Sequence, residues 1–153
     1  MNLTAIPSKS THLQFKALHP NFRLPTKSRE TSGGYDLYMP SAGKVWDDIV
    51  MKVPLGFATS FPTGFVGLIL PRSGVGVKSG LSLNNTCGVI DADYRGEWVA
   101  ALRTQHPTNE LEWEAGDRIL QVLFVPVASF EMELVEELDS TERGEGGFGS
   151  SGK

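Results

Sequence analysis

The sequence has very few residues of the kinds that build disulfides and transition-metal sites. Its 153 residues include one cysteine, Cys87, and three isolated histidines, His12, His19 and His106. A single thiol excludes an internal disulfide framework, and the scattered histidines form no spaced set of zinc ligands. There is also no apolar run long enough to cross a bilayer and no start that resembles a secretion signal. We therefore expect a cytoplasmic protein with no membrane partner and no protein-held transition metal.

An excess of positive charge is absent as well. Fourteen Lys and Arg residues stand against eighteen Asp and Glu residues, which gives a net charge of −4. Because nucleic-acid binding depends on clustered cationic side chains, nucleic acid is not an expected partner. A polyanionic ligand would need a local site. The arginines that could build one, each in a segment rich in glycine or small polar residues, are Arg72, Arg118 and Arg143.

Long uninterrupted segments, which helices require, are also missing. Seventeen glycines and nine prolines divide the chain into short stretches rich in β-branched and aromatic side chains. This pattern predicts one all-β domain, a sandwich or barrel, over residues 1–141, followed by a glycine-rich tail over residues 142–153. One or two helical turns are predicted within residues 71–78, and residues 106–114 are interpreted as a surface loop. The predicted strands are residues 13–18, 35–39, 49–53, 56–59, 65–70, 81–83, 86–90, 97–104, 118–127 and 131–138.

Two of these strands, residues 65–70 and 119–125, are apolar at nearly every position instead of alternating. Such strands are apolar on both faces, so something must cover the outer face of their sheet. In a small domain the expected cover is another copy of the chain, which predicts a homo-oligomer. Pro126 predicts that the second strand ends near an edge or a bulge.

Residues 88–98 are typical of a hairpin with a polar turn that carries Asp91 and Asp93. Asp91 directly follows an apolar strand, so its carboxylate can be partly desolvated and held in place, as a general base for water must be. Asp93 is explained equally by ordinary turn chemistry. Tyr94 could form the wall of a pocket or lie in the core.

Residues 71–80 combine Arg72 and Ser73 with several glycines, which suits an oxyanion cradle. The segment lacks the Gly-Lys-Ser/Thr ending of a nucleoside-triphosphate P-loop. Asp36 and Gln121 are polar residues within apolar strands, where an unpaired group would cost about 1–3 kcal/mol. A protein partner or a ligand must satisfy them, and for Gln121 a bond to the backbone is an equal alternative.

The tail from Arg143 to Lys153 contains five glycines, an arginine, a phenylalanine and two serines. This combination could bind an anionic ligand that carries a ring. Glycine lets backbone N–H groups turn toward oxyanions, and arginine can donate two parallel hydrogen bonds to a phosphate. By composition alone, a flexible solvated end is the competing interpretation.

Five segments of the chain, taken in order, resemble the five motifs of the trimeric deoxyuridine triphosphatases. The resemblance implies a jelly-roll-like β fold and a homotrimer with three sites. It also implies hydrolysis of dUTP to dUMP and pyrophosphate with Mg²⁺. The segments are residues 33–37 (GGYDL), 71–74 (PRSG), 88–97 (GVIDADYRGE), 116–121 (GDRILQ) and 143–152 (RGEGGFGSSG).

The resemblance implies roles for four residues of the third motif and for Asn85 just before it. Asp91 matches the general base that activates water for attack on the α-phosphorus. Asn85, Val89 and Ile90 match the residues that read uracil, through main-chain groups and a side-chain amide. Tyr94 matches the residue that packs against deoxyribose and disfavours substrates with a 2′-hydroxyl.

By the same resemblance, Arg72, Ser73, Gly74 and Gln121 match positions that hold the phosphates. Asp36 matches an acceptor for waters on the metal, so that Mg²⁺ has no direct protein ligand, consistent with its reluctance to give up water.

The tail carries the remaining implied roles. Phe148 would stack on uracil while Arg143, Gly149 and Ser150 close on the distal phosphates, completing the site of a neighbouring subunit.

Two other functions are compatible with parts of this pattern. One is a dCTP deaminase, which shares the trimeric fold, and the other is a nucleotide-sensing binding protein with a regulatory protein partner. The short chain and the Gly-Val-Ile-Asp-Ala-Asp-Tyr segment favour the hydrolase over the deaminase. Asp91 and the complete tail favour catalysis over sensing alone.

Overall fold

The computed structural model describes residues 12–46, 49–105 and 108–147, and these are mostly β. No helix within these ranges has the length and hydropathy to cross a membrane. The predicted β class and the short helix are confirmed. The elements are β1 (Gln14–Ala17), β2 (Tyr35–Leu37), β3 (Gly43–Trp46), β4 (Met51–Pro54), β5 (Phe57–Ser60), β6 (Phe65–Pro71), α1 (Ser73–Ser79), β7 (Leu81–Leu83), β8 (Gly88–Ile90), β9 (Val99–Thr104), β10 (Glu110–Trp113) and β11 (Leu120–Pro126).

The strands form small antiparallel sheets. The largest has the order β2-β11-β6-β8, and a second has the order β4-β9-β7. Two-stranded pairs join β1 to β5 and β3 to β10. Strand β6 is therefore central in its sheet, with β11 on one side and β8 on the other.

An aromatic cluster ties these sheets together around Trp98, which is fully buried. The Trp98 ring lies 5.0 Å from the Phe57 ring and 6.3 Å from the Phe124 ring, measured between centroids. Its indole N–H donates a 3.1 Å hydrogen bond to the hydroxyl of the buried Thr59. The core is thus apolar except where a buried polar group has found its partner.

Strands β6 and β11 are apolar on both faces, as their sequences predict. Ile69 and Val122 are cross-strand partners with fully buried side chains, and β11 ends at Pro126. The side chains on the other face are only half-buried in the single chain. The apolar ones are Val66, Leu68, Leu70, Leu123 and Val125, and Gln121 is the polar residue on this face.

The prediction of a strand over residues 131–138 is wrong. The described residues after β11 contain no strand, and the arm over residues 127–138 is exposed, with Phe130 at 76% and Leu134 at 100% exposure. A strand forms only beside an edge that takes up its backbone hydrogen bonds. Among the described residues of the single chain, this arm pairs with no strand.

The interpretation of residues 106–114 as a loop is wrong for residues 110–113, which form β10; His106 lies outside the described residues. Strand β10 pairs with β3, which the sequence pattern also missed. Trp113 faces the core, while Glu110 and Glu112 each lie 2.9 Å from the Lys44 amine. The hydrogen bonds to Glu112 and Glu110 raise the pKa of Lys44.

Replacing Thr59 by valine tests the buried hydrogen bond. Thr59→Val keeps the side-chain shape but leaves the Trp98 N–H without its acceptor, so the free energy of unfolding should fall by about 1–3 kcal/mol. Urea unfolding at fixed protomer concentration measures this change. The exposed Thr63→Val is the control and should shift stability by no more than about 0.5 kcal/mol. Equal stability of Thr59→Val and the parent protein would contradict the assignment.

Candidate active site

The first group of site residues lies where β6 ends and α1 begins. Arg72 is the extended residue between Pro71 and the helix, and α1 closes at Gly80, which adopts a left-handed conformation with φ 63°. The predicted helical turns are confirmed at seven residues. Arg72, Ser73 and Gly74 line one cavity of about 300 Å³.

Asp36 determines how Arg72 is held. Asp36 is only 7% exposed, and its Oδ1 lies 2.9 Å from Nε of Arg72 while its Oδ2 lies 3.2 Å from a guanidinium nitrogen of Arg118. Arg72 also donates a 3.0 Å hydrogen bond to the backbone carbonyl of Arg118. One carboxylate thus orients two guanidinium groups. These three side chains together carry a net charge of +1.

Gln121 belongs to the same group. Its amide donates a 3.0 Å hydrogen bond to the carbonyl of Pro71, so the backbone bond is the alternative that the structure selects. A Cβ on Gly34 would lie 2.6 Å from the Gln121 side-chain oxygen, and the glycine therefore leaves room for this amide. The bond connects β11 to the end of β6, beside Arg72.

The second group lies along β8. Among the described strands, β8 pairs only with β6, so the other edge of its backbone is open. The Ile90 side chain packs in the core, whereas Val89 is 60% exposed. The open edge offers backbone N–H and C=O groups, the kind of groups that the resemblance assigns to base reading.

Asn85 is held by a tight turn before β8. The Cys87 N–H donates to the Asn85 carbonyl at 2.7 Å, and the Asn85 amide donates to the Cys87 carbonyl at 2.9 Å. Thr86, between them, has φ 67°. This is a γ-turn with positive φ at its centre, the rarer and more strained form. The sequence carries no signal for it, because a β-branched residue disfavours that conformation.

The hairpin predicted for residues 88–98 is wrong. Strand β8 pairs with β6, whereas β9 pairs with β4 and β7, so the turn that begins at Asp91 connects two sheets. The reason is the buried Trp98. Its backbone N–H donates a hydrogen bond to the Phe57 carbonyl, which holds the chain against the core. In the single chain the Asp91 side chain is exposed, contrary to the expected partial desolvation.

Arg95 fixes this turn, and the sequence reasoning missed it. One guanidinium nitrogen donates to the carbonyls of Ala92 at 2.7 Å, Tyr94 at 3.2 Å and Thr59 at 3.4 Å. These bonds tie the turn that carries Asp91 to strand β5. The only signal in the sequence was that Arg95 is a cationic residue within a polar turn. Such a side chain is usually solvated, so it did not stand out.

The Asp91 turn and the Arg72 group lie toward opposite ends of β6. Ile90 is the partner of Gly67, so Asp91 continues beyond that end, while Arg72 follows Pro71 at the other. Arg72 lies five residues beyond Gly67, and at about 3.3 Å per residue these two points are about 16 Å apart along the strand. The structure therefore brings Asp36, Arg72 and Gln121 together, with Ser73 and Gly74 beside them. It does not bring them to Asp91 and Tyr94 of the same chain.

The tail is described only in part. Arg143 is exposed and donates a 2.8 Å hydrogen bond to the Gly146 carbonyl, whereas Phe148, Gly149 and Ser150 lie outside the described residues. In the ranges that the structure covers, no cluster of three or more His, Cys, Asp or Glu side chains could hold a metal ion.

Comparison with known proteins points to one family. The family model for dUTPase matches residues 20–152. The deoxyuridine 5'-triphosphate nucleotidohydrolase of Syntrophotalea carbinolica is 40% identical over 150 residues, which are 94% of this chain and 99% of that protein. Staphylococcus bacteriophage 80alpha dUTPase with dUPNHPP is similar in structure, with a TM-score of 0.85 and 31% identity over 94% of this chain and 100% of that one. A mutant dUTPase from phage phi11 of S. aureus, which coordinates a structural Mg(II) ion, has a TM-score of 0.74 and 25% identity, covering 82% of this chain and 97% of that one.

Removing the charge of Asp36 tests the guanidinium network. Asp36→Asn should lower the free energy of unfolding by about 1–3 kcal/mol, because a charged acceptor of two arginines is lost. Denaturant unfolding measures the change, and the exposed Glu30→Gln is the matched control. If the two variants were equally stable, the network would not hold this end of the sheet.

Proposed function

This chain belongs to the dUTPase family and is a dUTP diphosphatase, and we propose that Asp91 is its general base, in sites shared between the subunits of a homotrimer. The family match supports dUTP hydrolysis over dCTP deamination. The proposal depends most on one observation, the separation of Asp91 from Arg72 along β6.

A shared site follows from that separation. The base and the phosphate ligands must converge on one α-phosphate, since a general base works within hydrogen-bond reach of the water it activates. About 16 Å of β-strand keeps Asp91 and Arg72 of one chain apart. A neighbouring chain must therefore bring its own Asp91 turn to the Arg72 end of this chain.

Two unpartnered apolar surfaces supply the contact between chains. One is the half-buried outer face of the β6–β11 pair, and the other is the arm over residues 127–138. Within the arm Phe130, Met132 and Leu134 alternate with glutamates, as in a strand with one buried face. Closed cyclic assembly of three jelly-roll-like subunits buries both surfaces and repeats the shared site three times.

In the reaction, Asp91 accepts a proton from a water molecule that attacks the α-phosphorus in line with the leaving group. The bond from the α-phosphorus to the bridging oxygen breaks, and the departing pyrophosphate takes its electron pair. Asp91 is exposed in the single chain, and a neighbouring subunit and the substrate together would shield it from solvent. Arg95 holds the turn in place while the proton moves.

Arg72, Ser73, Gly74 and Gln121 bind the phosphates. Asp36 fixes the Arg72 guanidinium before substrate arrives, so that little reorganisation is needed. Its carboxylate oxygens each hold one arginine and still have lone pairs for waters on Mg²⁺. Mg²⁺ bound through phosphate oxygens and water would neutralise charge on the phosphates.

The open edge of β8 reads uracil, through the backbone of Val89 and Ile90 and the Asn85 amide. Tyr94 packs against deoxyribose. We assign closure of the site to the tail over residues 142–153. In this assignment Phe148 stacks on the base, and the distal phosphates are bound by Arg143, Gly149 and Ser150.

Asp91→Asn is the direct test of the general base. The amide cannot accept the proton, so hydrolysis should fall by about 10²-fold or more while dUTP binding and assembly persist. Pyrophosphate release and equilibrium binding measure the two effects. Asp93→Asn, in the same turn, is the matched control and should keep near-normal turnover. Near-normal turnover of Asp91→Asn would remove this residue from its role.

Mixed assemblies test whether the site is shared. Asp91→Asn and Arg72→Gln chains should each be nearly inactive alone, yet coexpression should restore activity in about a quarter of the sites, those that combine two intact halves. Coexpressed Arg72→Gln and Gln121→Leu chains, changed in the same half, should show no such recovery. Activity in the first mixture no greater than the sum of the separate variants would contradict sharing.

A further inference from the structure

Tyr94 is folded back over its own turn. Its hydroxyl donates a 3.0 Å hydrogen bond to the Glu97 carbonyl, and its ring lies directly on Gly96. A Cβ at position 96 would overlap the Tyr94 hydroxyl oxygen and would lie 2.6 Å from Cζ and 2.9 Å from Cε2. Contacts this short are well inside van der Waals separation. The ring can occupy this place only because residue 96 has no side chain.

The surface beneath the ring is firmly anchored. The Glu97 carboxylate accepts a 3.0 Å hydrogen bond from the Gly56 N–H, and the next residue is the fully buried Trp98. Arg95 holds the carbonyl of Tyr94 itself. The backbone on both sides of Gly96 is therefore fixed, whereas the Tyr94 side chain is 44% exposed and has room to move.

Gly96 does not have a positive φ, in contrast to Gly56, Gly64 and Gly80. An alanine at position 96 therefore meets no backbone strain of the left-handed kind. Its only conflict is with the Tyr94 ring, the movable end of an exposed side chain. Alanine should displace the ring and leave the fold intact.

We propose that Gly96 is a specificity-determining residue, which sets the position of the Tyr94 ring against the sugar of the substrate. This inference rests on the proposed role of Tyr94 as the residue that packs on deoxyribose. A ring seated on the turn leaves space for C2′ with a hydrogen and none for a hydroxyl. Once the ring is displaced, the close contact with dUTP is lost and the barrier to UTP is lost with it.

Gly96→Ala should lower the ratio of kcat/KM for dUTP to kcat/KM for UTP by at least about tenfold, the scale of discrimination by a close apolar contact. Pyrophosphate release with each nucleotide measures the ratio, and the thermal midpoint checks the fold. Tyr94→Phe adds no volume and only frees the ring from Glu97, so it is an independent second variant with the same expected direction. Unchanged ratios in both variants would overturn the proposal.

A double-mutant cycle separates this inference from the function on which it rests. Tyr94→Ala alone should lower the ratio, and adding Gly96→Ala to it should lower the ratio no further, because Gly96 acts only through the ring. A further loss in the double variant would mean that Gly96 acts elsewhere, and would overturn the inference. An unchanged ratio in Tyr94→Ala would instead refute the role proposed for Tyr94.

Discussion

The length of strand β6 is the constraint on which the rest of this structure depends. Hydrogen bonding to β8 and β11 on either side keeps the strand extended, so its two ends cannot approach each other. One end leads to Arg72, and the other lies beside Asp91. In the proposed mechanism both must act on one phosphate, and assembly is then part of the active site. In the same proposal, the apolar outer face of this strand supplies the contact between chains.

The charged groups of the proposed site are concentrated in one small region. The chain has a net charge of −4, yet one end of the main sheet concentrates two guanidinium groups around the buried carboxylate of Asp36. Compared with a well-packed apolar pair, a buried ion pair adds little stability, because desolvation offsets much of the attraction, although removing one partner alone is destabilising. Its value here is orientation, since Asp36 directs Arg72 before any anion is bound. Phosphates would supply the negative charge that this end lacks.

Much of the fold was predictable, because strand periodicity and turn residues are local properties of the chain. Strand β6 and helix α1 were both anticipated from the residues within them. Strands β3 and β10 were missed because each has four residues and is stabilised by a partner more than sixty positions away. Residues 131–138 show the opposite error: their sequence pattern predicts a strand, but in the single chain they pair with no described strand.

The sequence by itself determined the residues available to the proposed site, because the base-reading, phosphate-binding and catalytic roles were all predicted from motif order and residue type. Only the tertiary structure decided which of these residues meet. Pairing of β2 with β11 and of β11 with β6 brings Asp36 to Arg72, although thirty-five residues lie between them. The contact between Gly96 and the Tyr94 ring could not be predicted from the sequence either, although the two residues are close along the chain. Residue type can be read along the chain, whereas contacts depend on backbone paths that distant hydrogen bonds and the packed core impose.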